Sequence, residues 1–252
     1  MKISKYSISI FLVLLVCLAS FPGLVEAEDF LSFDDLYGED VDPPVRVNDP
    51  FEPVNRFTFG LNDLVFSYVL RPVSKTYTAI TPDIIERGAS NFFDNLNYPV
   101  RLAGNLLQGR LKGAWVETGR FAVNTVVGVA GVMTPADHLE SFRPIPPEDV
   151  GQAFGTWGIG AGPYLVLPFF GPSNLRDLGG MIGDRAVHPL KEPFSLIDDW
   201  DWEWRLGLTL TDVIVSTPDI LERYEQLKGS SIDPYSAVKN GYTQFRQAAI
   251  EQ

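Results

Sequence analysis

Cysteine and histidine are almost missing from this chain. Cys17 is its one cysteine, and His138 and His188 are its two histidines, in 252 residues. Everything after residue 17 therefore lacks a thiol, a disulfide and a Cys-based metal site. His138 falls in a polar connector and His188 precedes Pro189; each reads as a surface or capping residue rather than a base. The G-x-S-x-G elbow, the phosphate-binding loop and the H-E-x-x-H pair are missing too. Gly158, Gly160 and Gly162 look superficially like a nucleotide loop. No helix or acidic residue follows as a dinucleotide site needs, and Pro163 ends the run. Positive charge is also scarce, with 20 Lys and Arg against 32 Asp and Glu, net −12. That balance excludes the concentrated basic surface that nucleic-acid phosphates require. The expectation is a protein that is not an enzyme and that uses no cofactor, no metal and no nucleic acid.

The N-terminus reads as an export signal. Lys2 and Lys5 supply the positive start, residues 8–18 the apolar stretch, and Val25-Glu26-Ala27 a small-residue cleavage site. Pro22 and Gly23 end the apolar run too early for a permanent anchor. Cys17 could alternatively accept a lipid, but bacterial lipidation wants Gly, Ala or Ser before the cysteine, and Val16 stands there. Cleavage after Ala27 is the favoured reading. It removes Lys2, Lys5 and Glu26, leaving 18 basic against 31 acidic residues, net −13. Residues 28–46 form an acidic leader with little core-forming pattern.

A sustained apolar helix of about 20 residues, the signature of a membrane span, is not found in the mature chain. Residues 150–175, VGQAFGTWGIGAGPYLVLPFFGPSNL, come nearest: they hold no charge at all. Pro163, Pro168 and Pro172 would each break a helical ladder there. A solvated loop would carry charge instead of Trp157, Tyr164, Phe169 and Phe170. The segment is therefore expected to be irregular backbone against something apolar, either a protein core or lipid faced from within a protein frame.

Elsewhere the pattern is helical. Asp49-Pro50, Thr81-Pro82, Thr217-Pro218 and Asp233-Pro234 each place a capping side chain before a proline. From Phe51, the positions Val54, Phe57, Leu61, Leu64 and Val65 form one stripe that predicts a buried face. A second helix starts near Pro82 and is kinked at Tyr98-Pro99, and a third starts near Lys112. Later helices are expected over about 180–186, 202–215, 219–227 and 234–249. Alternation of period two is nearly absent, so the fold is expected to be mostly α, a single domain over residues 47–249 with irregular Gly/Pro-rich segments.

The third helix runs into residues 126–133, apolar on every side, with Gly128 and Gly131 suiting a tight hairpin. Phe121 to Met133, including Val127, is a candidate gate with those glycines as hinges; a buried core hairpin is the rival. Asn55, Arg56, Asn124 and Thr125 are candidates for contact with polar head groups, or else helix caps. Asp198, Asp199, Asp201 and Glu203 alternate with Trp200, Trp202 and Trp204. They lack the central glycine of a calcium loop. They fit an indole belt at a membrane–water boundary as well as a mixture of core and surface.

Several ordered motifs carry a resemblance. These are Asn48-Asp49-Pro50-Phe51-Glu52-Pro53-Val54-Asn55-Arg56; Tyr68-Val69-Leu70-Arg71-Pro72-Val73 with Ser90-Asn91-Phe92; and Arg120-Phe121 with Asn124-Thr125. Then come Phe154-Gly155-Thr156-Trp157-Gly158 through Arg176-Asp177, and finally Ser231-Ile232-Asp233-Pro234-Tyr235. Together they resemble the MlaA (VacJ) family of outer-membrane phospholipid-asymmetry proteins, over about residues 47–246. The resemblance implies a ring-like helical domain embedded in the outer membrane, on its periplasmic side. Its amphipathic channel passes misplaced phospholipids from the outer leaflet to a periplasmic carrier (MlaC-like), beside a trimeric porin. Family members are usually lipoproteins, and Val16-Cys17 departs from that pattern. A soluble periplasmic lipid carrier, or a hydrolase with an unrecognised site, are the alternative functions.

Overall fold

The computed structural model describes residues 47–252 except 192, 194, 198 and 230. The export signal, Cys17, the acidic leader and Asp198 lie outside the described residues. The architecture is mostly helical: α1 (Glu52–Val65), α2 (Arg71–Ile80), α3 (Asp83–Leu96), α4 (Tyr98–Leu107), α5 (Leu111–Val126), α6 (Val150–Thr156), α7 (Leu175–Val187), α8 (Trp202–Gly229) and α9 (Pro234–Glu251). A π-helical stretch, Phe66–Leu70, joins α1 to α2. Among the described residues no helix is long and apolar enough to cross a membrane.

Helix α1 corrects the expected burial. Only Val65 of its apolar stripe is buried, in the core; the rest faces out, with Val54 63% exposed, Phe57 75% and Leu64 55%. Its polar face is inside, with Asn55 at 2% and Asn62 at 3%. The reason is strand β1. Residues 150–175 are not wholly irregular, because β1 (Tyr164–Leu167) and β2 (Gly171–Asn174) pair antiparallel, Tyr164 with Asn174 and Leu167 with Gly171. A two-stranded ribbon leaves unpaired backbone groups along each edge. Asn55 donates to the Tyr164 carbonyl (3.0 Å) and accepts from Val166 N (2.9 Å). Seven residues on, two helical turns up the same face, Asn62 donates to the Leu167 carbonyl (2.9 Å) and accepts from Phe169 N (2.7 Å). Two asparagines thus do the work of a third strand.

Side-chain caps also differ from expectation. Asp233 stands at the N-cap of α9 with Pro234 behind it but makes no cap bond; its carboxylate goes to Arg56 and Ser236. Asp49 binds Asn55, Tyr235 and Lys239. The caps actually formed are Asp149 on α6 and Asn174 on α7. Thr217-Pro218 starts nothing, since Pro218 lies inside α8. There the Ser216 and Thr217 hydroxyls bond back to the Asp212 and Val213 carbonyls instead of capping forward. Helices α6 and α7 cross at Gly151 and Gly180, where a Cβ on Gly180 would meet the Gly151 backbone at 2.4 Å.

The core is divided. Val65, Phe66, Leu70 and Leu221 form one cluster, and Tyr164, Val166 and Tyr235 another. Round the middle, helices pack in a closed circuit: α3 on α5, α5 on α4, α4 on α6, α6 on α9, α9 on α8, and α8 back on α3. That circuit encloses the candidate site.

Candidate functional site

Inside the circuit lies a cavity of about 430 Å³ with a charged wall. Helices α3 and α4 contribute Ser90, Asp94, Asn97 and Arg101, which keep helical spacing across the break at Asn97. Helix α5 adds Glu117 and Arg120, the connector adds Asp137 and Glu148, and α8 adds Asp219 and Arg223. Asp149, Gln152 and Arg246 complete its charged and amide groups with Asn91, and Val100, Pro144, Ile145, Pro147 and Phe245 supply an apolar part. An adjoining space of about 330 Å³ shares Pro144, Ile145, Pro147, Glu148, Gln152 and Phe245 with it, and adds Pro146, Ala248, Ala249 and Gln252.

Most of the wall's charge is paired. Arg101 donates to Glu117 (2.8 Å) and Asp94 (2.7 Å), and Arg120 pairs with Asp137 (2.8 Å). Arg246 is the hub. Its Nε and Nη2 reach Asp177 at 2.9 and 3.0 Å, and both its terminal nitrogens reach Asp149. Asp177 also accepts from Arg176 (2.9 Å), Tyr242 (2.6 Å) and Asn174 (2.6 Å). Burial works to raise the Asp177 pKa, but Arg246 and Arg176 outweigh it and hold the carboxyl at about 2. Glu148 is pushed up by burial against the opposing pull of Gln108 and Arg110, which both bond it. Charges this deep are tolerated because each is paired and hydrogen-bonded.

A model of the MlaA lipoprotein family matches residues 47–249 of this sequence. The chain belongs to the MlaA family. The intermembrane phospholipid transport system lipoprotein MlaA of Shigella flexneri is 31% identical over 78% of this chain and 76% of the relative. The protein of the same name from Haemophilus influenzae is 30% identical over 81% of this chain and 79% of its own length. A solved structure concerned with the maintenance of bacterial outer membrane lipid asymmetry superposes with a TM-score of 0.66. It shares 28% identity and covers 81% of this chain and 99% of its own.

This MlaA-family fold scatters the residues singled out from sequence. Asn55 is committed to β1. Arg56 bonds Glu52 and Asp233 and lies 4.4 Å over the Tyr235 ring. Asn124 accepts from Ala136 N (3.0 Å), Thr125 accepts from Asn95 (3.0 Å), and Phe121 stacks on Tyr98. Tyr164 is a correction: it is buried at 2% exposure between Tyr235 and Tyr242, not turned to a membrane. Phe169 packs half-buried on the Val65 cluster and Phe170 is also half-buried. Trp157, Trp200 and Trp202 are exposed, with the Trp157 indole donating to the Leu107 carbonyl. His188 corrects half of its expectation: it is buried, not at the surface, but it does stand at the C-cap of α7 and its Nδ1 accepts from Leu190 N, and burial lowers its pKa to about 3.

Residues 126–133 border the cavity wall, with Asn91 holding the Val132 carbonyl at 3.1 Å. They form a knot of turns, not a β-hairpin: Ala130 N reaches Thr125 O, Gly131 N reaches Asn124 O, and Met133 N reaches Gly128 O. Val127, Val129 and Met133 splay outward while Gly128 and Gly131 are buried. A Cβ on Gly128 would stand 2.1 Å from the Met133 carbonyl oxygen, and one on Gly131 2.5 Å from the Asn95 side chain. Val129 (φ 56°) and Ala130 (φ 59°) occupy the left-handed region, a strained setting for a β-branched residue. Sequence reasoning missed the wall itself. Its one signal was the helical spacing of Ser90, Asp94, Asn97 and Arg101, which reads equally as a solvated face.

Proposed function

We propose that this chain is a passive phospholipid transport component of the outer membrane. In this reading the head group of a misplaced phospholipid enters the charged cavity while its tails remain outside the circuit. The lipid is then handed to a soluble periplasmic carrier, with a trimeric porin as neighbour in the membrane. The observation that carries the reading is the inverted helix α1, polar inward and apolar outward. In water such a helix would turn over; against hydrocarbon it is the stable arrangement. Exposed Trp157, Trp200 and Trp202 fit the membrane–water boundary. Moving a lipid needs an apolar exterior and a polar path, and no nucleophile.

The strained Val126–Met133 turn at the cavity wall is proposed as the part that moves, with strain at Val129 and Ala130 released on opening. Gly128→Val is a poor probe of that motion, because the new side chain would collide with backbone. A soluble carrier fits less well, since it would enclose both tails in an apolar pocket, and the wall of this cavity carries six carboxylates and four guanidiniums among its apolar residues.

The test is fractionation followed by reconstitution. The mature protein is expected with outer-membrane vesicles and detergent, and in liposomes it should deliver labelled phospholipid to acceptor protein. Recovery as a lipid-free periplasmic monomer with no affinity for liposomes would overturn the reading.

A further inference from the structure

The wall of the central cavity is unequal in what it offers a ligand. Its arginines are largely engaged: Arg101 by Asp94 and Glu117, Arg120 by Asp137, and Arg246 by Asp149 and Asp177. Five of its six carboxylates are engaged as well, Glu148 by Gln108 and Arg110, but two acceptors are not. Gln152 is 4% exposed, and its Oε1 is buried with no hydrogen-bond partner among the described residues. The amide cannot turn over to cure this without loss, because its Nε2 is held by the Pro147 carbonyl (3.3 Å) and Asp149 (3.4 Å). Asp219 receives no hydrogen bond from any described residue. The wall carries six carboxylates against four guanidiniums. With Glu148 compensated by its ion pair to Arg110, which lies outside the wall, one negative charge of excess still remains.

An unpaired buried acceptor is costly, and a negative excess repels a second anion. Both features suit a donor that is positively charged. Gln152 also lines the apolar space beside the cavity, together with Pro144, Ile145 and Phe245. A ligand reaching this wall can therefore lay a hydrocarbon segment beside the group that Gln152 accepts.

We propose that the wall around Gln152 and Asp219 is a selectivity site for phospholipids whose head group bears a primary ammonium, with an acyl chain resting in the adjoining apolar space. This deepens the transport reading and rests on it. A zwitterionic head group brings its own compensating charge, whereas a phosphatidylglycerol head brings an uncompensated anion into a wall already negative.

The experiment is lipid capture by the purified mature protein from vesicles holding equal amounts of phosphatidylethanolamine and phosphatidylglycerol, read by mass spectrometry. We expect phosphatidylethanolamine to be enriched about fivefold, the scale of one modest charge interaction. Gln152→Met and Asp219→Asn, tested separately because the first is buried and the second is not, should each move the ratio toward unity while total lipid captured persists. Glycerophosphoethanolamine, which has the head group without tails, should compete poorly at matched concentration. Capture of both lipids in the supplied ratio, or an excess of phosphatidylglycerol, would overturn this inference alone. So would full competition by the tail-less compound, which would make the site one for soluble amines. Capture of neither lipid would overturn the transport reading and this inference together.

Discussion

Helices α1 and α9 both pack on the small ribbon, and they do so with opposite chemistry. Helix α1 gives β1 its polar face, Asn55 and Asn62, and leaves Phe57 and Leu64 outside. Helix α9 turns Tyr235 and Val238 inward in the ordinary way and exposes Gln247 and Glu251. Its charged contributions to the interior are Lys239, held by Asp49, and Arg246, buried against two carboxylates. The contrast shows that amphipathicity has no fixed sign. A helix buries whichever face matches its neighbours, and the other face reports the solvent. For α9 that solvent is proposed to be water, and for α1 lipid.

The largest expected effect breaks the α9 side. Arg246→Ala would leave Asp149 and Asp177 buried together without their shared cation, which should cost about 3–5 kcal/mol. Thermal unfolding in detergent would read it as a large fall in Tm. A change under about 1 kcal/mol would mean that the hub is not what joins α9 to α6 and α7. Arg246→Lys should rescue only in part, since an ammonium cannot reproduce the forked contacts to two carboxylates.

A second prediction concerns Asp212 on α8, whose Oδ1 is buried with no hydrogen-bond partner among the described residues. Burial pushes its pKa from 3.8 up to about 6, against the pull of Lys191. Between those pH values the folded chain holds a proton that the unfolded chain has lost. Its contribution to stability therefore declines as pH rises through that window, by roughly 3 kcal/mol in all. Asp212→Asn should raise Tm at pH 7.5 and change it little at pH 4. Equal effects at both values would remove the buried carboxyl as the cause.

These contrasts also show what a sequence can and cannot tell. Several helices follow from periodicity and proline placement, as at Asp233-Pro234, but α2 and α6 do not, and the pattern divides α8 in two at Thr217-Pro218. The direction of the α1 stripe does not follow, because a period of 3.6 marks two faces without saying which is inside. Strands of four residues, one containing Pro172, are too short to display alternation. The cavity wall was hidden for a different reason. Its side chains come from six helices and a connector, and each segment by itself looks like a solvated surface. Asn55 reads as a head-group contact or helix cap, yet its side chain is taken up by the β1 backbone and Asp49.

The smallest effect on the fold gives the sharpest test of the comparison. Asn55→Leu and Phe57→Asn sit two residues apart on α1 and should behave in reverse of the rule for a water-soluble helix. Leucine at 55 would make the helix more apolar but strand the Tyr164 carbonyl and the Val166 amide, costing about 2 kcal/mol. Asparagine at 57 would make it more polar and should leave stability in detergent within about 0.5 kcal/mol. Its effect should appear in the membrane instead, where loss of an exposed Phe ring weakens partition into liposomes by roughly 1.5–3 kcal/mol. On α9, Gln247→Leu should change neither property much, because that face meets water. If Phe57→Asn left liposome binding intact while lowering Tm, the outer face of α1 would be covered by protein, and lipid would not be its solvent.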